Sequence, residues 1–260
     1  MMTLLSRQCL DRPIYGIAVD SRGRLMYPDT ICHISSIQKF GLKENIFSDY
    51  CDLQGVVMIN SIIFDFGRVI SSQKPLSLFR AYENDLGLAS DTINQIMFGS
   101  SQWQEALLGR KTATEFWYAI GPQLGLKSRV EIDEFRCRYH ADESINMEVL
   151  DLIHQLHGRY KLAVLSNNPP GLDKWLADWG ILELFDVIFC SGDEGLIKPD
   201  PAVYRITLKQ LGVPPNESVF IDDTGGHVEA AQRLGIHGIV FTNAAELKQE
   251  LNHFLRPSRF

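Results

Sequence analysis

The chain has no apolar run approaching the roughly 18 residues that a membrane-spanning helix requires, so no segment is expected to cross a bilayer as a helix. Its first residues, Met1-Met2-Thr3-Leu4-Leu5-Ser6-Arg7, carry too short an apolar patch for a secretory signal, and Asp11 follows closely. Positive charge is not in excess. The 25 Lys and Arg residues stand against 32 Asp and Glu, a net charge of −7. That balance argues against general nucleic-acid binding and requires any anionic ligand to be drawn in by a local positive site. A C-x-x-C pair is also missing. The five cysteines, Cys9, Cys32, Cys51, Cys137 and Cys190, are odd in number and scattered. This is the usage expected of reduced thiols in a cytoplasmic protein. Cys32-His33 supplies half of a zinc set, with no second close pair to complete it.

What is present is ordinary globular composition: 45% hydrophobic and 22% charged residues in 260, enough for one large core, or one core and a smaller domain. Residues 1–57 carry no sustained period. Gly16 to Asp20 has the character of a short strand, and Ser21-Arg22-Gly23 that of a turn. The segment is expected to be a weakly packed N-terminal extension, or non-native sequence upstream of a start at Met58.

From Ile62 the pattern becomes regular. Short apolar runs at Ile62–Phe66, Lys161–Ser166, Val187–Cys190, Ser218–Asp222 and Gly238–Phe241 read as buried strands. Helical periodicity separates most of them, at Met147–His157, Leu172–Trp179, Pro201–Leu211, His227–Leu234 and Ala244–Leu255. Pro201 follows an Asp cap and occupies the first helical position. Strands alternating with helices predict an α/β fold with a doubly wound parallel sheet. One interval breaks the rhythm. Between Ile70 and Asn146 no strand is evident, and helices are expected at Leu76–Leu86, Thr92–Met97, Trp103–Leu108, Ala113–Leu124 and Ile132–Tyr139, with Ser90 and Thr112 as caps. A connection that long far exceeds the usual ~4–6 residues and predicts an inserted helical domain. The expected organisation is therefore a core from 58–70 and 146–260 with a helical cap at 71–145 over the strand ends. The aromatic residues Trp103, Phe116, Trp117 and Phe135 are read as packing within that cap.

Polar groups gather at the strand ends, where ligands bind in open α/β sheets. Asp65 ends the first strand, Ser166-Asn167 follows the second, Lys198-Pro199 precedes a helix, and Asp222-Asp223 ends another strand. Each has a bland reading as a turn, a cap or a solvated side chain. Together they suggest more. Three carboxylates repel one another unless a cation lies between them, and oxygen ligands favour Mg2+ over Zn2+. A lysine and a serine hydroxyl beside such a site suit phosphoryl oxygens, and a carboxylate can attack phosphorus.

In that order, Phe64-Asp65-Phe66-Gly67, Leu165-Ser166-Asn167, Lys198-Pro199 and Asp222-Asp223 resemble the haloacid dehalogenase-like hydrolase superfamily, in its phosphatase-like branch with a helical cap after the first motif. The resemblance covers about residues 58–255. It implies a Rossmann-like core and hydrolysis of a small phosphorylated metabolite through an aspartyl-phosphate. Asp65 would be the nucleophile, and Mg2+ would be held by Asp65, the Gly67 carbonyl, Asp222 (directly or through water) and Asp223. Ser166, Lys198 and backbone N–H groups near Phe66, Gly67 and Asn167 would hold the phosphoryl group, with Lys198 also offsetting the charge of Asp65. Neither nucleic acid nor membrane is an expected partner, and a monomer or homodimer is anticipated. The chain departs from the common phosphatase form at Gly67, where a second Asp would serve as general acid and base; such assistance is typically worth about 10²–10⁴ in rate. Arg68 stays protonated and is a poor substitute. His227 stands where the family often has Asn, and is expected to orient its loop. Two alternatives remain: a 2-haloacid dehalogenase, whose halide leaves unprotonated, and a catalytically weak binding or regulatory relative.

Overall fold

In a computed structural model, residues 18–19, 25–26 and 58–255 are described. Ala18–Val19 (β1) pairs antiparallel with Leu25–Met26 (β2). β1 falls inside the strand expected at 16–20, whereas β2 was not anticipated. The remaining expectations for residues 1–57, and Cys9, Cys32, His33 and Cys51, lie outside the described residues. Cys137 and Cys190 are both free thiols, and burial pushes the Cys190 thiol up to about 12.

Ile62 and Phe64 belong to one hydrophobic cluster and Ile63 to another, because successive side chains of a strand leave opposite faces of a sheet. This alternation builds a two-faced core around Ser61–Phe64 (β3). Lys161–Ser166 (β4), Val187–Cys190 (β5), Ser218–Asp222 (β6) and His237–Val240 (β7) complete a five-stranded parallel sheet in the order β5-β4-β3-β6-β7. The doubly wound expectation is met. β3 is central and all four of its residues are buried.

Helices cover both faces. Met147–Leu156 (α6), Leu172–Asp178 (α7) and Ala244–Leu255 (α11) contribute to the cluster containing Ile62, and Pro201–Leu211 (α9) and Gly225–Gln232 (α10) to the one containing Ile63. A four-residue helix, Ser191–Glu194 (α8), lies between β5 and α9. Asp200 accepts from the Ala202 N–H and Pro201 opens α9, as the sequence implied. Three boundaries differ. β3 ends at Phe64 rather than Phe66: Asp65 N–H makes a last bond to Ile221 O at 2.8 Å, then Phe66–Ile70 turns tightly and closes with Ser71 N–H on Phe66 O. α10 begins two residues before His227, and β7 at His237 rather than Gly238.

Between Ile70 and Asn146 the described chain forms five α-helices: Leu76–Leu86 (α1), Thr92–Phe98 (α2), Ser101–Leu107 (α3), Ala113–Ile120 (α4) and Arg129–Ala141 (α5). Thr112 caps α4 in a reciprocal box with Glu115. Ser90 does not cap α2; Asp91 takes that position with a left-handed φ of 68° and no side-chain cap bond. Ser100 and Ser128 cap α3 and α5. Ala113–Leu124 divides at Gly121 into α4 and a short 3-10 turn, where Pro122 interrupts the α-helical bonding. These helices have their own core of Tyr82, Phe116, Trp117, Phe135 and Tyr139, with Trp103 packed against it.

Two linkers join the helical insertion to the sheet. Ser71 bridges Ile145 antiparallel, Ser72 N–H donates to Ser144 O, and Asn146 N–H donates to Ile70 O. Just beyond, buried Lys74 forms an ion pair with Glu143 and lies 4.2 Å from the Tyr139 ring centroid. Further contacts hold the insertion over the carboxyl end of the sheet. The His140 ring meets Trp175 edge-on at 5.1 Å. Gly109, at φ 69°, lies so close to Gly192 that a Cβ there would sit 2.1 Å from the Gly192 carbonyl oxygen. Only glycine fits that crossing.

Candidate active site

Register sets the first part of the site. β3 and β6 are parallel neighbours, with Phe64 opposite Ile221. Asp65 and Asp222, each the next residue along, therefore leave the sheet side by side. Asp223 follows, and single carboxylate oxygens of Asp65, Asp222 and Asp223 all lie within 4.8 Å of one another. At an effective dielectric near 20, two such charges repel by about 3 kcal/mol or more.

Two cations answer them. Lys198 Nζ lies 2.8 Å from Asp65 Oδ1 and 2.6 Å from Asp222 Oδ2, in a position only 3% exposed. Arg68 Nη2 lies 2.8 Å from Asp223 Oδ2. Three carboxylates against two cations leave the cluster anionic, which is the condition for attracting a metal ion. The donors are all oxygen, so a hard divalent cation fits. Asp222 is the most committed acid. Its Oδ1 also accepts from Thr224 N–H at 2.8 Å, and His227 Nδ1 lies 3.1–3.2 Å from its two oxygens. His227 is in turn anchored by Tyr204, whose hydroxyl donates to the His227 carbonyl.

The electrostatics divide the acids. Burial pushes Asp65 upward and the charge of Asp222 adds to this, while Lys198 opposes it. Burial would also raise Asp222, but His227 and Lys198 outweigh it and hold the carboxyl below its usual range. Burial works against the charged lysine, yet Asp65 and Asp222 together hold Lys198 above the usual lysine range. The lysine is thus a fixed positive charge, and of Asp65 and Asp222 it is Asp65 whose ionisation depends more on further positive charge nearby.

Asn167 explains how Lys198 is aimed. Lys198 N–H donates to Asn167 Oδ1 at 2.7 Å, and Asn167 Nδ2 donates back to Lys198 O at 3.0 Å. The side-chain amide thereby pins the 198 backbone to the end of β4. Its engagement leaves ligand contact at this position to the backbone. Ser166, at the end of β4, is 3% exposed. Phe66 N–H donates to Asp65 Oδ1 at 2.7 Å, while its ring packs between Trp175 and Trp179 at 5.8 and 5.4 Å. Only its backbone faces the chemistry. Gly67 has an ordinary φ of −65° and ψ of 126°, and a Cβ there would meet nothing within 4 Å. Its lack of a side chain is not a steric requirement.

Asp65, Phe66, Gly67, Ser166, Asn167, Lys198, Asp222 and Asp223 thus all stand at this end of the sheet. Sequence reasoning missed the Arg68–Asp223 pair, the double bond between Asn167 and Lys198, and the Thr224 and Tyr204 contacts. Arg68 alone had a readable signal, since it adjoins Gly67. Its left-handed backbone, φ 60° and ψ 8°, is rare for a residue with a side chain and costs about 1 kcal/mol. Ser71 supports it by accepting the Arg68 N–H at 3.2 Å.

A family model described as haloacid dehalogenase-like hydrolase matches residues 52–235. A D-ribitol-5-phosphate phosphatase of Bacteroides thetaiotaomicron is 28% identical over 206 residues, 76% of this chain and 99% of that protein. A sesquiterpene phosphatase of Aspergillus oryzae is 27% identical over 198 residues, 74% of this chain and 95% of that one. Among solved structures, a haloacid dehalogenase family enzyme of Bacteroides thetaiotaomicron, in complex with magnesium and inorganic phosphate, superposes with a TM-score of 0.60 at 21% identity. The match covers 73% of this chain and 98% of that one; at this identity the likeness establishes the fold.

Proposed function

The chain belongs to the haloacid dehalogenase-like hydrolase family, and on that premise we propose that it is a Mg2+-dependent phosphomonoesterase of a small phosphorylated metabolite. The observation that carries this reading is the convergence of Asp65, Asp222 and Asp223 within 4.8 Å, with Lys198 buried against two of them. The phosphatase names of its relatives agree with it.

Asp65 is the nucleophile in this reading. A carboxylate oxygen bonds to phosphorus as the bond to the leaving oxygen breaks, and that oxygen takes a proton from water. A second water then attacks phosphorus, the aspartyl-phosphate bond breaks, and inorganic phosphate leaves with Asp65 restored. Lys198, Ser166 and the backbone N–H groups of Gly67 and Asn167 orient the phosphoryl oxygens. Asp65, Asp223 and the Gly67 carbonyl would hold Mg2+, with Asp222 behind them, because its oxygens already serve Lys198, Thr224 and His227. When bound, the ion supplies positive charge against the phosphoryl oxygens and favours ionised Asp65. The helical insertion, 71–145, acts as the cap that selects the leaving group.

Phosphate release from a panel of sugar phosphates, nucleotides and isoprenoid phosphates, with Mg2+ or with excess chelator, tests the reading. Turnover of at least one member that needs Mg2+ and vanishes in Asp65→Asn is expected. Chloride release from a 2-chloroacid that persists in chelator would replace the phosphatase by a dehalogenase. One observation favours a second reading: Gly67 offers no acid to the leaving group. Mg2+ and phosphate-analogue binding without turnover of any ester would identify a binding protein.

A further inference from the structure

Arg68 has three features that the phosphatase reading does not use. Its backbone is left-handed although it carries a long side chain. Its guanidinium holds Asp223 at 2.8 Å. The two partners differ sharply in exposure, 58% for the Arg68 side chain against 15% for Asp223. Lys198 serves the other two acids from a buried position, so Arg68 is the cation of the cluster that can leave without being pulled from the core. The turn Phe66–Ile70 ties Arg68 to the chemistry. Residue 68 directly follows Gly67, and the left-handed conformation at 68, supported by Ser71 Oγ, is part of what turns the chain after Asp65.

We propose that Arg68 is an exchangeable counter-ion: it neutralises Asp223 while no metal ion is bound, gives that carboxylate up to the ion, and then offers its guanidinium to the anionic substrate. The inference rests on the metal-dependent reading above and adds a coupling to it. Arg68 already holds one oxygen of the Asp223 carboxylate that a divalent cation would need, Oδ2. In this proposal the cation takes that carboxylate over and breaks the pair, which releases a planar, charged donor on an exposed side chain beside the phosphoryl site. Metal and anion then bind with positive cooperativity, because the metal frees a group the anion uses and, by reciprocity, the anion stabilises the freed state.

The two binding steps carry opposite signs for one substitution, which a general loss of structure cannot imitate. Titration calorimetry of Mg2+ into the full chain, without phosphate, is expected to show tighter binding in Arg68→Ala than in the wild type, by about 2–5-fold, the scale of an exposed ion pair that no longer competes. Titration of inorganic phosphate at saturating Mg2+ is expected to show weaker binding in Arg68→Ala by a comparable factor. Arg68→Lys should retain the competition but recover only part of the phosphate affinity, since its ammonium lacks the planar fork. Arg68→Gly, which keeps the left-handed turn without strain, controls for the backbone and should behave as Arg68→Ala. Unchanged or weaker Mg2+ binding in Arg68→Ala and Arg68→Gly overturns the exchange while leaving the phosphatase reading intact. Tighter Mg2+ with unchanged phosphate affinity overturns the substrate contact. Absence of Mg2+ binding in the wild type overturns the metal-dependent reading and the inference with it.

Discussion

Replacing Lys198 by Met removes the cation between two buried acids and leaves the aliphatic stem nearly unchanged in volume. In the wild type its ammonium is 2.8 Å from Asp65 and 2.6 Å from Asp222, and Asp65 and Asp222 are 7% and 0% exposed. Removing one partner of a buried ionic group typically costs about 3–5 kcal/mol, because the remaining charge stays desolvated. Here two carboxylates remain, and their mutual repulsion alone is about 3 kcal/mol or more at an effective dielectric near 20. A loss of about 3–5 kcal/mol at pH 7 is therefore expected in urea unfolding with excess chelator. The loss has a pH signature. Asp65 is already pushed up by burial, and without Lys198 it rises further. A carboxyl whose folded-state pKa is raised stabilises the fold when protonated. Its contribution is fully present below the unfolded value of about 3.9 and lost as pH rises through the folded value. The deficit of Lys198→Met should therefore shrink as pH falls from 7 toward 4. Adding Asp65→Asn removes the titrating charge and should restore at least half of the lost stability at pH 7. A deficit under about 1 kcal/mol at pH 7, or one independent of pH, would refute the view that this lysine is a structural as well as a chemical part of the site.

Two further outcomes are accessible. Gly67→Asp should be tolerated, since the backbone there is ordinary and the added Cβ meets nothing within 4 Å; with a poor leaving group, turnover should rise by up to about 10²-fold, the lower end of general acid assistance, and far less with nitrophenyl phosphate. No difference between the two substrates would show that protonation of the leaving oxygen does not limit the wild type. His140 Nδ1 is buried without a hydrogen-bond partner among the described residues, and the ring packs against Trp117, Tyr139 and Trp175. Burial, with Lys74 and Arg136 adding to it, depresses this histidine to about 4. Its contribution to stability is complete above about pH 6.5 and falls as pH drops toward 4, by about 1–2 kcal/mol once partial solvent access is allowed for. His140→Phe should remove that part of the acid sensitivity, as read from thermal unfolding at pH 7 and pH 5; an unchanged pH dependence would place its origin elsewhere.

The core strands were legible because a central parallel strand must be apolar on both faces, and short β-branched runs such as Ile62-Ile63-Phe64 and Val219-Phe220-Ile221 have few other uses. Pro201 after Asp200, and Thr112 just before the helix expected from Ala113, announced helix starts because capping is local chemistry. The boundaries that shifted did so for non-local reasons. β3 stops at Phe64 because Asp65 makes its last ladder bond to a strand more than 150 residues away, and Arg68 then turns the chain. Ser90 lost its capping role to Asp91, whose left-handed backbone no propensity anticipates.

By itself the sequence determined the alternation of strands and helices, the helical insertion after the first core strand, and the set of polar residues at the strand ends, because each follows from periodicity or from the order of short motifs. Tertiary structure alone decided how those residues share charge. It placed one buried ammonium between Asp65 and Asp222, gave Asp223 to the exposed Arg68, and used Asn167 to aim the lysine. The physical reason is that ion pairing depends on distances of a few ångströms between segments far apart in the chain, and parallel register and the tight turn after Asp65 set those distances only once the sheet has closed.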